Sequence, residues 1–235
     1  MKQHPFAAGL IAISIVVGLW LLAMALPDAV REYRSFDRTV TVKGLAEQEV
    51  EANIVIWPIR FSVAGNEQQA VYQALQNNAD KIRAFLLLNG VDEESLTLAP
   101  PAMQDRHAQT YGRDRPPFRF SAQQTLTVYS TNVAKVRSAM GQLLELGKQG
   151  ITLEDSSYRT DYLFTGLNEI KPEMVEQATQ NARKVAEKFA ADSNSQLGKI
   201  KTASQGQFSI SSRDKNSPHI KKVRVVSTVV YYLAD

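Results

Sequence analysis

The sequence predicts an α+β domain of duplicated strand-helix-strand-strand units with antiparallel hairpins, preceded by one transmembrane helix. Three observations carry this: an uncharged apolar run from Phe6 to Leu26, period-two stretches interleaved with stretches of helical period, and the order strand, helix, strand, strand occurring twice.

The run from Phe6 to Leu26 has 21 residues and no charge, about 31 Å as a helix, against a hydrocarbon core of roughly 30 Å. Eleven of them are Phe, Leu, Ile or Val, which favour insertion by roughly 3 to 6 kcal/mol, so the lipid bilayer is an expected partner. Lys2 and Ala23-Met24-Ala25 also fit the basic region and cleavage site of a secretory signal. The run is longer than the 7 to 15 or so residues of a typical signal core, which favours an uncleaved anchor over cleavage after Ala25. Lys2 is opposed by Arg31 and Arg34, so charge sets topology weakly and the short tail makes N-terminus-in the default. Residues 1–27 are thus an anchor or signal, 28–38 a linker, and 39–235 the domain.

Strand character begins at Thr39-Val40-Thr41-Val42; Gly44 reads as a bulge, and the strand resumes through Val50 to Ala52. Val55, Trp57, Ile59, Phe61 and Val63 alternate with mixed residues, and Pro58 points to an edge or bulge. Asn66 with Gln69 forms an amide variant of a capping box. Val71, Leu75, Ile82, Phe85 and Leu86 follow at helical spacing until Asn89-Gly90. Two long strands, Ser95 to Tyr111 and Phe118 to Tyr129, then form a hairpin around Gly112 to Pro117. A linking helix from Asn132 to Leu146 turns Val133, Val136, Met140, Leu143 and Leu144 inward. Strand-like residues Ile151 to Phe164, a helix from Glu169 to Ser193, and strands Lys199 to Ser211 and Ile220 to Leu233 complete the chain. The copies span Ile54 to Tyr129 and Ile151 to Leu233. In the last helix Ala178, Ala182, Ala186 and Ala190 recur every four residues beside Val175, Val185 and Phe189, a smooth ridge for close packing.

Composition bounds the function. Apolar residues make up 44% and charged residues 22% of 235, ordinary values for a globular chain. Net charge is +3, and without Lys2 the remaining 26 basic residues face 24 acidic ones, a near-balance that argues against a nucleic-acid partner. With no cysteine there is no disulfide, thiolate metal site or Cys nucleophile.

Three short segments, Val40-Thr41-Val42-Lys43-Gly44, Gln180-Asn181-Ala182-Arg183-Lys184-Val185-Ala186-Glu187-Lys188-Phe189-Ala190 and Gln196-Leu197-Gly198-Lys199-Ile200, resemble the SIMPL-domain family of bacterial envelope proteins over about Thr39 to Leu233. The resemblance implies an oligomerising α+β domain in the periplasm or on the surface, with undefined activity and a loose link to stress tolerance. It supplies no catalytic residues. Many relatives are secreted with a cleaved signal, whereas this run is long enough to remain as an anchor. The expected location is the inner membrane, single-pass, with the domain in the periplasm; the alternative is a soluble periplasmic protein after cleavage.

Residues arranged for chemistry are few. His107 and His219 lack partners at ligand spacing and read as surface strand histidines. Asp155-Ser156-Ser157 has no nucleophile elbow, and Asp92-Glu93-Glu94 follows the helix stop at Gly90 as a solvated loop. No phosphate-cradling glycine loop occurs, so no cofactor or metal is expected and the chain reads as non-enzymatic. The rival reading is an envelope hydrolase whose site is assembled from distant residues. The pair of basic hairpins is the functional candidate. The first carries Arg106, Arg113, Arg115 and Arg119 among Tyr111, Phe118 and Phe120; the second carries Arg213, Lys215, Lys221, Lys222 and Arg224. Of these, Arg113, Arg115, Arg119, Arg213, Lys215, Lys221 and Lys222 are the expected contacts to an anionic envelope component or to another copy of the chain. The plainer account is that long turns are polar and that charged edges block strand aggregation.

Overall fold

The computed structural model describes residues 14–20, 38–108, 116–154 and 160–234. Within the apolar run, residues 14–20 form helix α1, with Ile15, Val16, Val17, Leu19 and Trp20 exposed. Among the described residues no helix is long and apolar enough to cross a membrane. The predicted spanning helix lies for the most part outside them.

The strands are β1 (Thr39–Glu51), β2 (Ile54–Gly65), β3 (Leu96–Leu98), β4 (Ala102–Asp105), β5 (Phe120–Ser130), β6 (Thr152–Leu153), β7 (Asp161–Leu163), β8 (Gln196–Gln205), β9 (Ser209–Ser212) and β10 (Ile220–Ala234). The further helices are α2 (Gln68–Leu88), α3 (Val133–Gly141), α4 (Leu144–Lys148) and α5 (Leu167–Asp192). The chain divides into two compact units. The described residues of the first lie within Met1–Glu47, Pro172–Phe208 and Arg224–Asp235, and those of the second within Gln48–Lys171 and Ser209–Val223.

In the second unit β2 and β5 pair antiparallel from Val55 opposite Ser130 to Gly65 opposite Phe120, and β3 and β4 pair in turn with β5. The predicted alternation decides the faces. Val55, Trp57, Ile59 and Phe61 are buried against Val71, Leu75, Ile82 and Leu86 of α2, and these join Leu126 and Val128 in one core. Pro58 is in the body of the sheet rather than at an edge. It faces Thr127 on one side, and on the other falls between the stretches of β2 that pair with β7 and β6, where the ladder asks for no donor.

In the first unit the sheet order is β1-β10-β8, while β9, which belongs to the second unit, pairs with β10. The buried face of β1 is Val42, Gly44 and Ala46, all small or β-branched. It meets the small residues of α5, of which Ala178, Ala182, Ala186 and Ala190 are buried. A Cβ on Gly44 would lie 1.8 Å from the Ala178 carbonyl oxygen and 2.4 Å from the Ala182 nitrogen. Gly44 is therefore the point where helix and strand touch backbone to backbone, and β1 runs unbroken through it instead of bulging.

Other expectations also change. Asn66 does not cap α2: the N-cap is Glu67, and the Asn66 side chain accepts from the Arg119 amide at 3.0 Å. The strand expected from Ser95 to Tyr111 is interrupted at Ala99-Pro100-Pro101, since proline supplies no ladder donor, and ends at Asp105. Lys199 to Ser211 is likewise divided, at Gly206-Gln207-Phe208. The linking helix breaks after Gly141, which rotates its second half. Leu144 is consequently 71% exposed, and Leu146 takes the buried place beside Val136 and Ala139. Val185 and Phe189 face outward. Strands β6 and β7 pair with β2, so the third strand beside β10 and β8 is β1, from before the first expected copy.

Candidate binding surfaces

The first basic hairpin closes with the Arg106 amide donating to the Arg119 carbonyl at 2.8 Å. Asp105 organises the turn beyond β4. One carboxylate oxygen accepts from the His107 and Ala108 amides at 3.0 and 3.2 Å, and the other from Arg119 Nε and Nη2 at 3.0 and 2.9 Å. The Arg119 guanidinium, aided by these amides, holds the Asp105 carboxyl below its ordinary value. Arg119 also lies 4.8 Å from the Phe120 ring centroid. Arg113 and Arg115 lie outside the described residues.

The second hairpin repeats this chemistry. Asp214 accepts from the Asn216 and Ser217 amides at 2.8 and 2.7 Å with one oxygen, and from Arg213 Nε at 2.9 Å with the other. Arg213 additionally donates to Ser217 Oγ at 2.9 Å and pairs with Glu49 at 3.5 Å. The hydrogen bond between Arg213 and Asp214 raises the arginine's pKa and lowers the aspartate's. Lys221 is half-buried and donates to Ser212 Oγ at 3.0 Å, and burial pulls its pKa down. Lys222 is half-buried and engaged, while Lys215 is exposed. Arg119 and Arg213 thus serve their own turns, which reduces the positive charge that each tip presents.

Both histidines are half-buried, and His107 sits in the turn after β4, so neither is a free surface strand residue. His107 Nε2 lies 3.0 Å from the Pro116 carbonyl. His219 meets Tyr162 edge-on at 6.0 Å; burial lowers its pKa, and Arg137 adds to the shift. Among the described residues no group of three or more His, Asp or Glu is arranged to hold a metal ion. Asp155-Ser156-Ser157 lies outside the described residues, and Glu93 sits in a short 3-10 turn paired with Arg83 at 3.3 Å.

Among the described residues of the first unit, two concave surfaces stand out that residue spacing alone did not single out. A groove of about 520 Å³ runs between α5, with Glu176, Thr179, Gln180 and Arg183, and the strands, with Gly198, Lys199, Ile200 and Tyr231. Its arginine is paired with Glu187 at 2.9 Å. The other, about 290 Å³, has Lys184, Val185, Lys188, Phe189 and Asp192 of α5 as its described lining. The described lining of neither brings a nucleophile against a general base, so both suit contact better than bond making. The available clue was the outward phase of Val185 and Phe189 relative to the four-residue alanine repeat.

Residues 40–231 match the family described as SIMPL, protein of unknown function (DUF541). No curated protein matches the chain.

Proposed function

Because the chain belongs to the SIMPL family, whose function is undefined, we propose that it is a membrane-tethered domain of the bacterial periplasm that acts by non-covalent assembly rather than by catalysis. The observation that carries this reading is the apolar, exposed outer face of α5 at Val185 and Phe189, on a helix whose opposite face is fully packed. Tethering comes from Phe6 to Leu26, whose length and lack of charge suit a bilayer core. Confinement to one surface raises the effective concentration of copies without any new contact. An anionic envelope component at Lys215 and neighbouring tip residues is a subsidiary partner, weakened by the aspartates that already hold the arginines. A stress-related role belongs to the same proposal. So does an ancestral duplication, with its second three-stranded set completed by β1.

Fractionation tests the tether. Carbonate-washed membranes should retain a protein whose intact mass includes Met1. A soluble periplasmic form beginning at Leu26 would replace the anchor by a cleaved signal.

A further inference from the structure

We infer that α5 carries a self-complementary face on which a second copy of this chain docks about a two-fold axis; this rests on the proposed assembly and assigns residues to it. Asn181, Val185 and Phe189 recur every four residues and so lie along one side of the helix, one position before the buried Ala182, Ala186 and Ala190. Val185 is 41% and Phe189 55% exposed. They sit between Lys184 at one end and Asp192 at the other, eight residues or about 12 Å apart along the axis. Neither Lys184, Lys188 nor Asp192 is in an ion pair among the described residues.

Charge decides the occupant. An antiparallel copy sets Lys184 of each chain against Asp192 of the other, twice, with Val185 and Phe189 meeting between them, the isologous pattern of a two-fold contact. A parallel copy would oppose like charges. An anionic bilayer would gain from Lys184 and Lys188 but would be repelled by Asp192. Strand addition at the β1 edge is hindered at Leu45, whose carbonyl already accepts from Asn181 Nδ2 at 2.9 Å. Lys188 falls nearest the axis and faces its own copy, the one unfavourable element, which its long stem relieves by turning the ammonium to water. One helix face buries much less than the roughly 800 Å² per partner of a standard stable complex, so the contact is weak in solution and depends on surface confinement.

The test uses full-length protein, labelled for energy transfer, in liposomes of neutral lipid at varied density, with circular dichroism confirming that each variant folds. Lys184→Glu and Asp192→Lys should each weaken association about tenfold, and the double variant should return it to within about threefold of the parent. Lys188→Gln should strengthen it. If the parent associates and the single variants are unaffected, this face is overturned as the interface while the assembly reading stands. A parent that remains monomeric at every density overturns both. A double variant without rescue, together with weakening by Lys188→Gln, also overturns the proposal, as expected if the face serves an anionic surface.

Discussion

Replacing Gly44 by alanine places a methyl group where no space exists. The new Cβ would stand 1.8 Å from the Ala178 carbonyl oxygen, 2.4 Å from the Ala182 nitrogen and 2.9 Å from the Ala182 Cβ. Ordinary contact begins near 3.4 Å, so β1 and α5 must separate by about 1.5 Å, and two of the three obstructing atoms are backbone that cannot rotate away. Overpacking of this kind costs about 1 to 3 kcal/mol. Separation also loosens the cluster of Val42, Ala182, Ala186, Val229 and Tyr231 and stretches the 2.9 Å hydrogen bond from Asn181 to Leu45, adding about 1 kcal/mol. The expected loss is about 3 kcal/mol, or a Tm lower by about 6 to 12 °C for a chain of this size. Thermal unfolding of the full-length variant in detergent, followed by far-ultraviolet circular dichroism, measures it. A Tm within about 2 °C of the parent would refute the close approach of strand and helix.

Three further outcomes rest on particular side chains. Leu146→Ala should lose about 2 to 5 kcal/mol and Leu144→Ala less than about 0.5, because only Leu146 is buried; equal losses in denaturant titration would restore an unbroken linking helix. Ser227 is buried and its hydroxyl has no hydrogen-bond partner among the described residues, so Ser227→Ala should leave stability unchanged or raise it by about 1 kcal/mol, whereas a loss would reveal a bond to that hydroxyl. The lowered Asp214 pKa means that its contribution is present above the ordinary 3.8 and fades as pH falls through the folded value, so the Asn216 and Ser217 amide resonances should titrate with a midpoint below 3.8; a midpoint at or above it would break the assigned Arg213 contact.

What the sequence revealed depended on whether the decisive interaction was local. The buried positions of α2 and the inward face of β2 follow from periods of 3.6 and 2, so Val71, Leu75, Ile82, Trp57 and Phe61 were legible at once. Leu144 was not, because a break after Gly141 shifts the helical phase and no period survives a break. Asn66 has the right type for a cap, yet its side chain is used by the Arg119 amide 53 residues away. Gly44 resembled a bulge until the alanines opposite it were known. The Val40 to Gly44 segment and the Ala-rich segment that carry the family resemblance prove to be two sides of one contact, with Leu197 of the third segment packed against the same cluster. At the hairpin tips the basic residues were readable from composition, but the pairing of Arg119 with Asp105 and of Arg213 with Asp214 is a matter of geometry. The destination of β6 and β7 on β2 is a long-range choice that no local pattern encodes.

The central claim is that this domain acts by assembling on a membrane. Counting photobleaching steps of a single fluorescent label on full-length protein in native membranes, at controlled low density, tests it most directly. The account predicts two-step or higher bleaching whose share grows with surface density. Single-step bleaching across the whole density range would contradict it.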